Sequence, residues 1–270
     1  IVCARNKLNT LLLEKKEYPI DKACGEGIMP SGVEHLRELG VAPFVEKYPY
    51  HHFKGIRYIS NTGRTAEATF SEGAGWGIMR TKFSSALLDC TTSLSKLEIK
   101  AGVSATYNLG QNPEVIIKEK VFFPKLLIGA DGLHSRIRKD ANLEAKSHEL
   151  KRWGVRQHFA IKPWCDFVEI YWGAGLEAYV TPVSDSNVNV SILWDASRYK
   201  PLQGGKKLFA SLLDEFPELQ ERLKDAYVLD EAMAAGPLYQ QTLGAANGKI
   251  LLIGDAAGFF DPITGEGISL

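Results

Sequence analysis

Three stretches of this chain end in the same way. "TLLLE" runs into Glu14, "KLLIGADG" into Asp131-Gly132, and "ILLIGD" into Gly254-Asp255. In each, an apolar run suited to a buried strand stops on an acidic residue, twice beside a glycine. In a parallel α/β sheet, ligands sit at the carboxyl ends of the strands. A carboxylate there accepts hydrogen bonds from sugar-like hydroxyls. Glycine lets main-chain N–H groups approach a phosphate, and a following helix start adds a favourable dipole. A single strand-Gly-Asp is usually a turn; its recurrence points to a ligand rich in hydroxyls and closely approached by backbone.

The elements that must position these tips follow from the pattern. Residues 1–14, "IVCARNKLNTLLLE", read as the tail of a helix, a polar turn and the second strand of a βαβ unit. The chain is therefore expected to begin partway through such a unit. No G-x-G-x-x-G occurs; Gly25-x-Gly27 and Gly265-x-Gly267 both lack the third glycine. Ser31 and Glu34 have capping-box spacing, Val33, Leu36 and Leu39 mark one helical face, and Gly40 stands where a helix would stop. A hairpin is expected around Asn61-Thr62-Gly63, and a helix from about Thr81 with Phe83, Leu87 and Leu88 inward. Residues 114–128 read as two strands.

From about Trp153 the texture changes. "DFVEIYW", "EAYVTPV" and "NVNVSILW" alternate with period two, and Val188, Val190, Ile192 and Trp194 share a face. This predicts antiparallel sheet with one wet side and a core rich in tryptophan, since Trp153, Trp164, Trp172 and Trp194 all lie here. A helix over about 206–225, interrupted at Pro217, follows before the parallel texture returns at Lys249.

Composition excludes several function classes. The chain has 270 residues, with 32 Lys plus Arg against 32 Asp plus Glu. This balance gives no electrostatic pull towards nucleic acid or an anionic membrane. No apolar run approaches the roughly 18 residues of a membrane span. Cys3, Cys24, Cys90 and Cys165 are far apart, which argues against a disulfide framework or a metal cluster and suits a reducing, cytoplasmic setting. His51-His52 has no third ligand in sight, so no metal site is assigned.

Two longer motifs now matter. "GADGLHSRIRKD" resembles the second fingerprint of flavoprotein hydroxylases of the para-hydroxybenzoate hydroxylase type, and "LLIGDAAGFFDPITGEGISL" resembles their third. The details lean towards the geranylgeranyl reductase branch. Gly258 stands where hydroxylases carry histidine, and "KACGEGIMPSG" and "P-x-T-G-E-G-I" look reductase-like. The resemblance covers nearly the whole chain.

It implies an α/β fold: a Rossmann-like FAD-binding domain of glutathione reductase type, interrupted by a mainly antiparallel β-sheet substrate domain. The first would comprise residues 1–52, 74–150 and 240–270, truncated at both ends, and the second 53–73 and 151–239. It also implies FAD, with NAD(P)H as electron donor. Glu14, with Lys15 beside it, would bind the adenosine ribose. Asp131 and Gly132 would lie in the motif serving both cofactors. Gly254 and Asp255 would meet the ribityl chain and Arg80 the phosphates. Pro262, Thr264, Gly265, Glu266 and Gly267 would lie against the flavin ring. Cys24 is either a small buried residue or a reaction-site thiol, and Glu26 either a proton donor or a loop carboxylate. The substrate would be a hydrophobic small molecule, either reduced at a double bond or hydroxylated; peripheral membrane contact stays open. A halogenase ranks third, as no W-x-W-x-I-P segment occurs. A non-catalytic nucleotide-binding protein is the reading from a different class.

Overall fold

The computed structural model describes residues 1–145, 152–201 and 205–259. Parallel strand pairing brings two of the acidic tips side by side. Leu127–Gly129 pairs in parallel with Ile250–Leu252, which Ala246–Asn247 flanks. Thr10–Leu13 pairs in parallel with Leu97–Lys100 in a separate two-stranded sheet. Among the described residues no strand joins the two pairs, so the three tips do not share one hydrogen-bonded sheet.

The largest sheet has eight strands among the described residues. Its middle is Arg152–Ala160, Asn187–Asp195, Leu176–Ser184 and Val168–Trp172, all antiparallel. The hairpin Gly55–Ile59 and Thr65–Thr69 extends it, joined in parallel to Val168–Trp172. Tyr227–Val228 and Met233–Ala235 both pair with Arg152–Ala160. One face carries Val188, Val190, Ile192 and Trp194, and the helices Leu208–Leu213 and Pro217–Leu223 cover it with Phe209, Leu212, Leu219 and Leu223. Pro217 opens the second helix, where its missing N–H costs nothing.

The other face is not wet. Every residue of Leu176–Ser184 is buried, as are seven of the nine in Asn187–Asp195. A small sheet of Gly27–Ile28, Gly75–Gly77 and His51–Phe53 lies against it. The approach is closest at Gly77, where an added β-carbon would stand 1.8 Å from the carbonyl oxygen of Pro182. Backbone cannot yield as a side-chain tip can. Gly77→Ala is therefore expected to destabilise by about 2 kcal/mol, read as a lower denaturant midpoint.

Several local expectations need correcting. The first long helix is Pro30–Glu38, capped by Met29, with no side-chain cap. Ser31 thus lies inside the helix, because Pro30 at its first position sets the start two residues earlier than the capping-box spacing suggested. Residues 114–129 hold three strands, Glu114–Ile117, Lys120–Phe122 and Leu127–Gly129, since Lys118 turns the chain at a φ of +54°. In Arg80–Thr91 the buried side chains are Phe83, Ser84, Ala86 and Cys90, with Leu87 packing partly against them. Of the four tryptophans in the sheet region only Trp194 is buried; Trp153 and Trp172 are more than a third exposed. No described helix is long and apolar enough to cross a membrane.

Candidate cofactor and reaction site

Asp255 follows its strand directly, in the tight turn Gly254–Ala256. It is half-buried, and among the described residues its carboxylate makes no hydrogen bond or ion pair. Gly254 beside it has a φ of +57°, with nothing within 4 Å of where a β-carbon would sit. Together they leave an acceptor and bare backbone facing open space.

Asp131 is placed differently. Its oxygens accept from Ser135 Oγ (2.5 Å), Arg136 N–H (2.9 Å) and Ile137 N–H (3.4 Å), so it ties down the start of the short helix Arg136–Asp140, whose N-cap is Ser135. The carboxylate holds its own loop in shape, with the adjoining Gly132 half-buried at a φ of +80°. Arg138, 1% exposed, was not singled out in the sequence, yet it links two tips. Its guanidinium donates to Leu133 O (2.8 Å), beside Gly132, and to Ala256 O (3.2 Å), beside Asp255. Its place within "GLHSRIRKD" is the signal that would have found it.

Glu14 stands at the end of its strand and accepts from Lys16 N–H at 2.8 Å; Lys15 is exposed. The charges of Glu14 and Arg80 both reach the Tyr18 phenol, which burial, then Glu14, push above its ordinary value. Arg80 starts its helix, and among the described residues its guanidinium has no carboxylate partner. Ile20 N–H donates to Ser84 Oγ at 3.0 Å, pinning the 14–26 segment to that helix. A side chain at Gly132 would come within 3.7 Å of Lys22 Nζ, which places the 14–26 segment beside the Asp131–Gly132 turn.

The Cys24 loop seats on the sheet. Asn189 Nδ2 and Ser191 Oγ donate to Cys24 O, at 2.8 and 3.3 Å. Burial and the Glu26 carboxylate push the Cys24 thiol up to about 11, so it keeps its proton at neutral pH. Gly25 has nothing within 4 Å of a β-carbon position. Glu26 is 1% exposed; Oε1 accepts from Arg80 N–H at 2.6 Å, and Oε2 lies 2.6 Å from His158 Nε2. His158 in turn meets Asp230 at 2.7 Å.

Burial opposes charge on His158, but the hydrogen bond and charge of Glu26, then Asp230, outweigh it and raise His158. For Asp230 burial also opposes charge, but hydrogen bonds from His158 and nearby cations win and lower it. The stability His158 contributes is therefore complete below its ordinary 6.5 and lost as pH rises through the raised value. That from Asp230 is present above 3.8 and lost as pH falls through its lowered value. Urea midpoints are expected to fall from pH 6.5 upwards in wild type, with a flatter profile in His158→Gln.

The residues fit a nucleotide cofactor. Open backbone at Gly25 and Gly254 leaves room that a side chain would fill, and among the described residues Asp255 offers an acceptor without a partner and Arg80, over the Phe83 ring, a cation without a carboxylate. The Asn189 Oδ1 atom is buried without a partner among the described residues. Pro262, Thr264, Gly265, Glu266 and Gly267 lie outside the described residues. Among the described residues no cluster of His, Cys, Asp and Glu could hold a metal.

Comparison with known proteins agrees with this chemistry. The family described as FAD binding domain matches residues 5–270. The digeranylgeranylglycerophospholipid reductase of Methanocaldococcus jannaschii is 27% identical over 284 residues, spanning 99% of this chain and 68% of that protein. A flavoprotein/dehydrogenase structure from Cytophaga hutchinsonii superposes with a TM-score of 0.86 at 20% identity, covering 98% of this chain and 69% of that one. The flavin-dependent halogenase CmlS gives 0.86 at 18% identity, covering 96% and 51%. At such identities the likeness to the two structures is one of fold.

Proposed function

The chain belongs to the FAD-binding domain family and is an FAD-dependent oxidoreductase by that membership; from this premise we propose that it reduces a double bond in a hydrophobic, isoprenoid-like molecule, with NAD(P)H as electron donor. The observation that carries the cofactor assignment is the Asp255 carboxylate, without a partner among the described residues, beside the open Gly254 backbone. Bound FAD would supply two-electron chemistry that no side chain provides.

The chain's own residues bind and orient. Asp255 and Glu14 accept from cofactor hydroxyls, and Arg80 offsets phosphate charge. Cys24 brings a protonated thiol to the loop that resembles the reductase branch. A thiol that keeps its proton suits reduction of an alkene, where one carbon must finally take a proton at a water-poor site. The name of the M. jannaschii relative, a reductase of a digeranylgeranyl lipid, supports the substrate class. So does Gly258 in place of the hydroxylases' histidine.

The test is anaerobic. Flavin-loaded full-length protein is mixed with NADPH or NADH, then with a polyprenyl alkene. Bleaching of the flavin colour, its return on adding the alkene, and a product heavier by hydrogen across a double bond are expected. No alkene reduction, with oxygen-dependent insertion of an oxygen atom into an aromatic substrate in a parallel aerobic run, would overturn the reductase assignment.

A further inference from the structure

Glu26 adopts a conformation its residue type disfavours. Its φ is +62°, in the left-handed region, where a residue with a β-carbon is strained by about 1–2 kcal/mol. Its backbone carbonyl accepts from Ile78 N–H at 3.1 Å and its N–H donates to Cys24 Sγ at 3.3 Å, and two side-chain contacts hold it there. One is the Arg80 N–H at the start of a helix, the other the His158 ring on the large sheet.

His158 is itself tightly fixed. Asp230 Oδ2 lies 2.7 Å from its Nδ1, and Asp230 Oδ1 accepts from its backbone N–H at 3.0 Å. Arg156, two residues earlier and so on the same face of the strand, pairs with Asp230 and reaches Asp21 at 2.5 Å. Asp21 precedes Cys24 by three residues. The loop is thus gripped at Asp21 by Arg156 and at Glu26 by His158, while Asn189 and Ser191 hold the Cys24 carbonyl between them. In the sheet Arg156 pairs with Ser191 and His158 with Asn189, so four adjacent polar side chains form one seat.

We propose that His158 is the positioning residue of the Cys24 loop: clasped between Glu26 and Asp230, it locks Glu26 in its left-handed turn and so sets where the Cys24 thiol stands. Its importance for turnover rests on the reading of this loop as the reaction site; the positioning itself does not. The charged groups around the ring are Glu26 from the loop, Asp230 from the segment after Tyr227–Val228, and Arg156 from its own strand, with Asp21 behind Arg156. Nδ1 also lies 3.1 Å from Arg156, but the nearer carboxylate decides that this nitrogen carries a proton. The ring then donates in both directions. Loss of one proton leaves one carboxylate without its donor and loosens the clasp.

Alkylation tests this without turnover. Purified protein, flavin-loaded and flavin-free, is treated with iodoacetamide across a pH series, and Cys24 and Cys90 are followed by peptide mass spectrometry. Cys90 is 1% exposed near the far end of the helix that Arg80 starts, in the core that also holds Ile28 and Ile78, and reports general loosening of that core. Cys24 is held at about 11 against an ordinary 9.0, about a hundredfold less thiolate at a given pH below both. His158→Ala is therefore expected to speed Cys24 labelling at least about tenfold at pH 8 with Cys90 unchanged. His158→Gln, whose amide donates to Glu26, restores most of the protection but loses its pH dependence. Unchanged Cys24 labelling, or Cys24 and Cys90 rising together, would overturn the proposal. Should His158→Ala not fold, Asp230→Asn is read the same way: Cys24 is released at lower pH than in wild type, and an unshifted profile overturns it. Flavin content, read from visible colour in the same samples, separately checks the cofactor assignment.

Discussion

Asp255→Ala is expected to fold normally and to lose its flavin. The carboxylate is half-buried but bonded to nothing among the described residues, so no native contact goes with it. Removing a satisfied buried group would leave an orphaned partner; among the described residues there is none. The whole effect then falls on the ligand. A hydrogen bond to a charged group contributes about 1.5–3 kcal/mol, or about 10- to 150-fold in the FAD dissociation constant. Circular dichroism and the urea midpoint should match wild type while flavin fluorescence titration shows weakened binding. Asp131→Ala makes the opposite contrast. That carboxylate accepts three hydrogen bonds at a helix start, so its loss should lower stability as well as affinity.

Arg156→Met is expected to destabilise the protein by about 3 kcal/mol. Arg156 is 1% exposed and pairs with Asp21 and Asp230. Deleting one member of a buried pair leaves uncompensated charge, which costs roughly 3–5 kcal/mol. The low end applies because the Asp21 and Asp230 side chains keep 32% and 30% exposure and can take up water. Methionine nearly preserves the volume, so lost packing contributes little. The loss should appear in denaturant midpoints at neutral pH and shrink in acid as the carboxylates protonate. A midpoint equal to wild type would mean the two aspartates do not depend on Arg156.

The strand tips were legible because a buried run ending in Gly-Asp is a local pattern. The seat of the Cys24 loop was not. Arg156, His158, Asn189 and Ser191 alternate with Val155, Phe159, Val190 and Ile192, and period two reveals which residues share a face. It does not reveal what covers that face. Polar alternation reads as water, and here it is a loop from more than 130 residues earlier in the chain. The burial of Glu26 was hidden for the same reason, since a partner distant in sequence buries it. Arg138 sat inside a recognised motif, but its role in joining two tips depends on the parallel pairing of Leu127–Gly129 with Ile250–Leu252. Ser31 and Glu34 imitate a capping box because Pro30 sets the helix start by sterics rather than by side-chain hydrogen bonding.

Calorimetric titration of FAD into the flavin-stripped full-length protein, beside its Glu14→Ala, Arg80→Ala and Asp255→Ala forms, is the most direct test of the cofactor cleft. One FAD per chain is expected, with each substitution weakening binding while the fold survives. Absence of binding by the wild-type protein, or equal affinity in all four, would contradict a cofactor cradled by these strand ends.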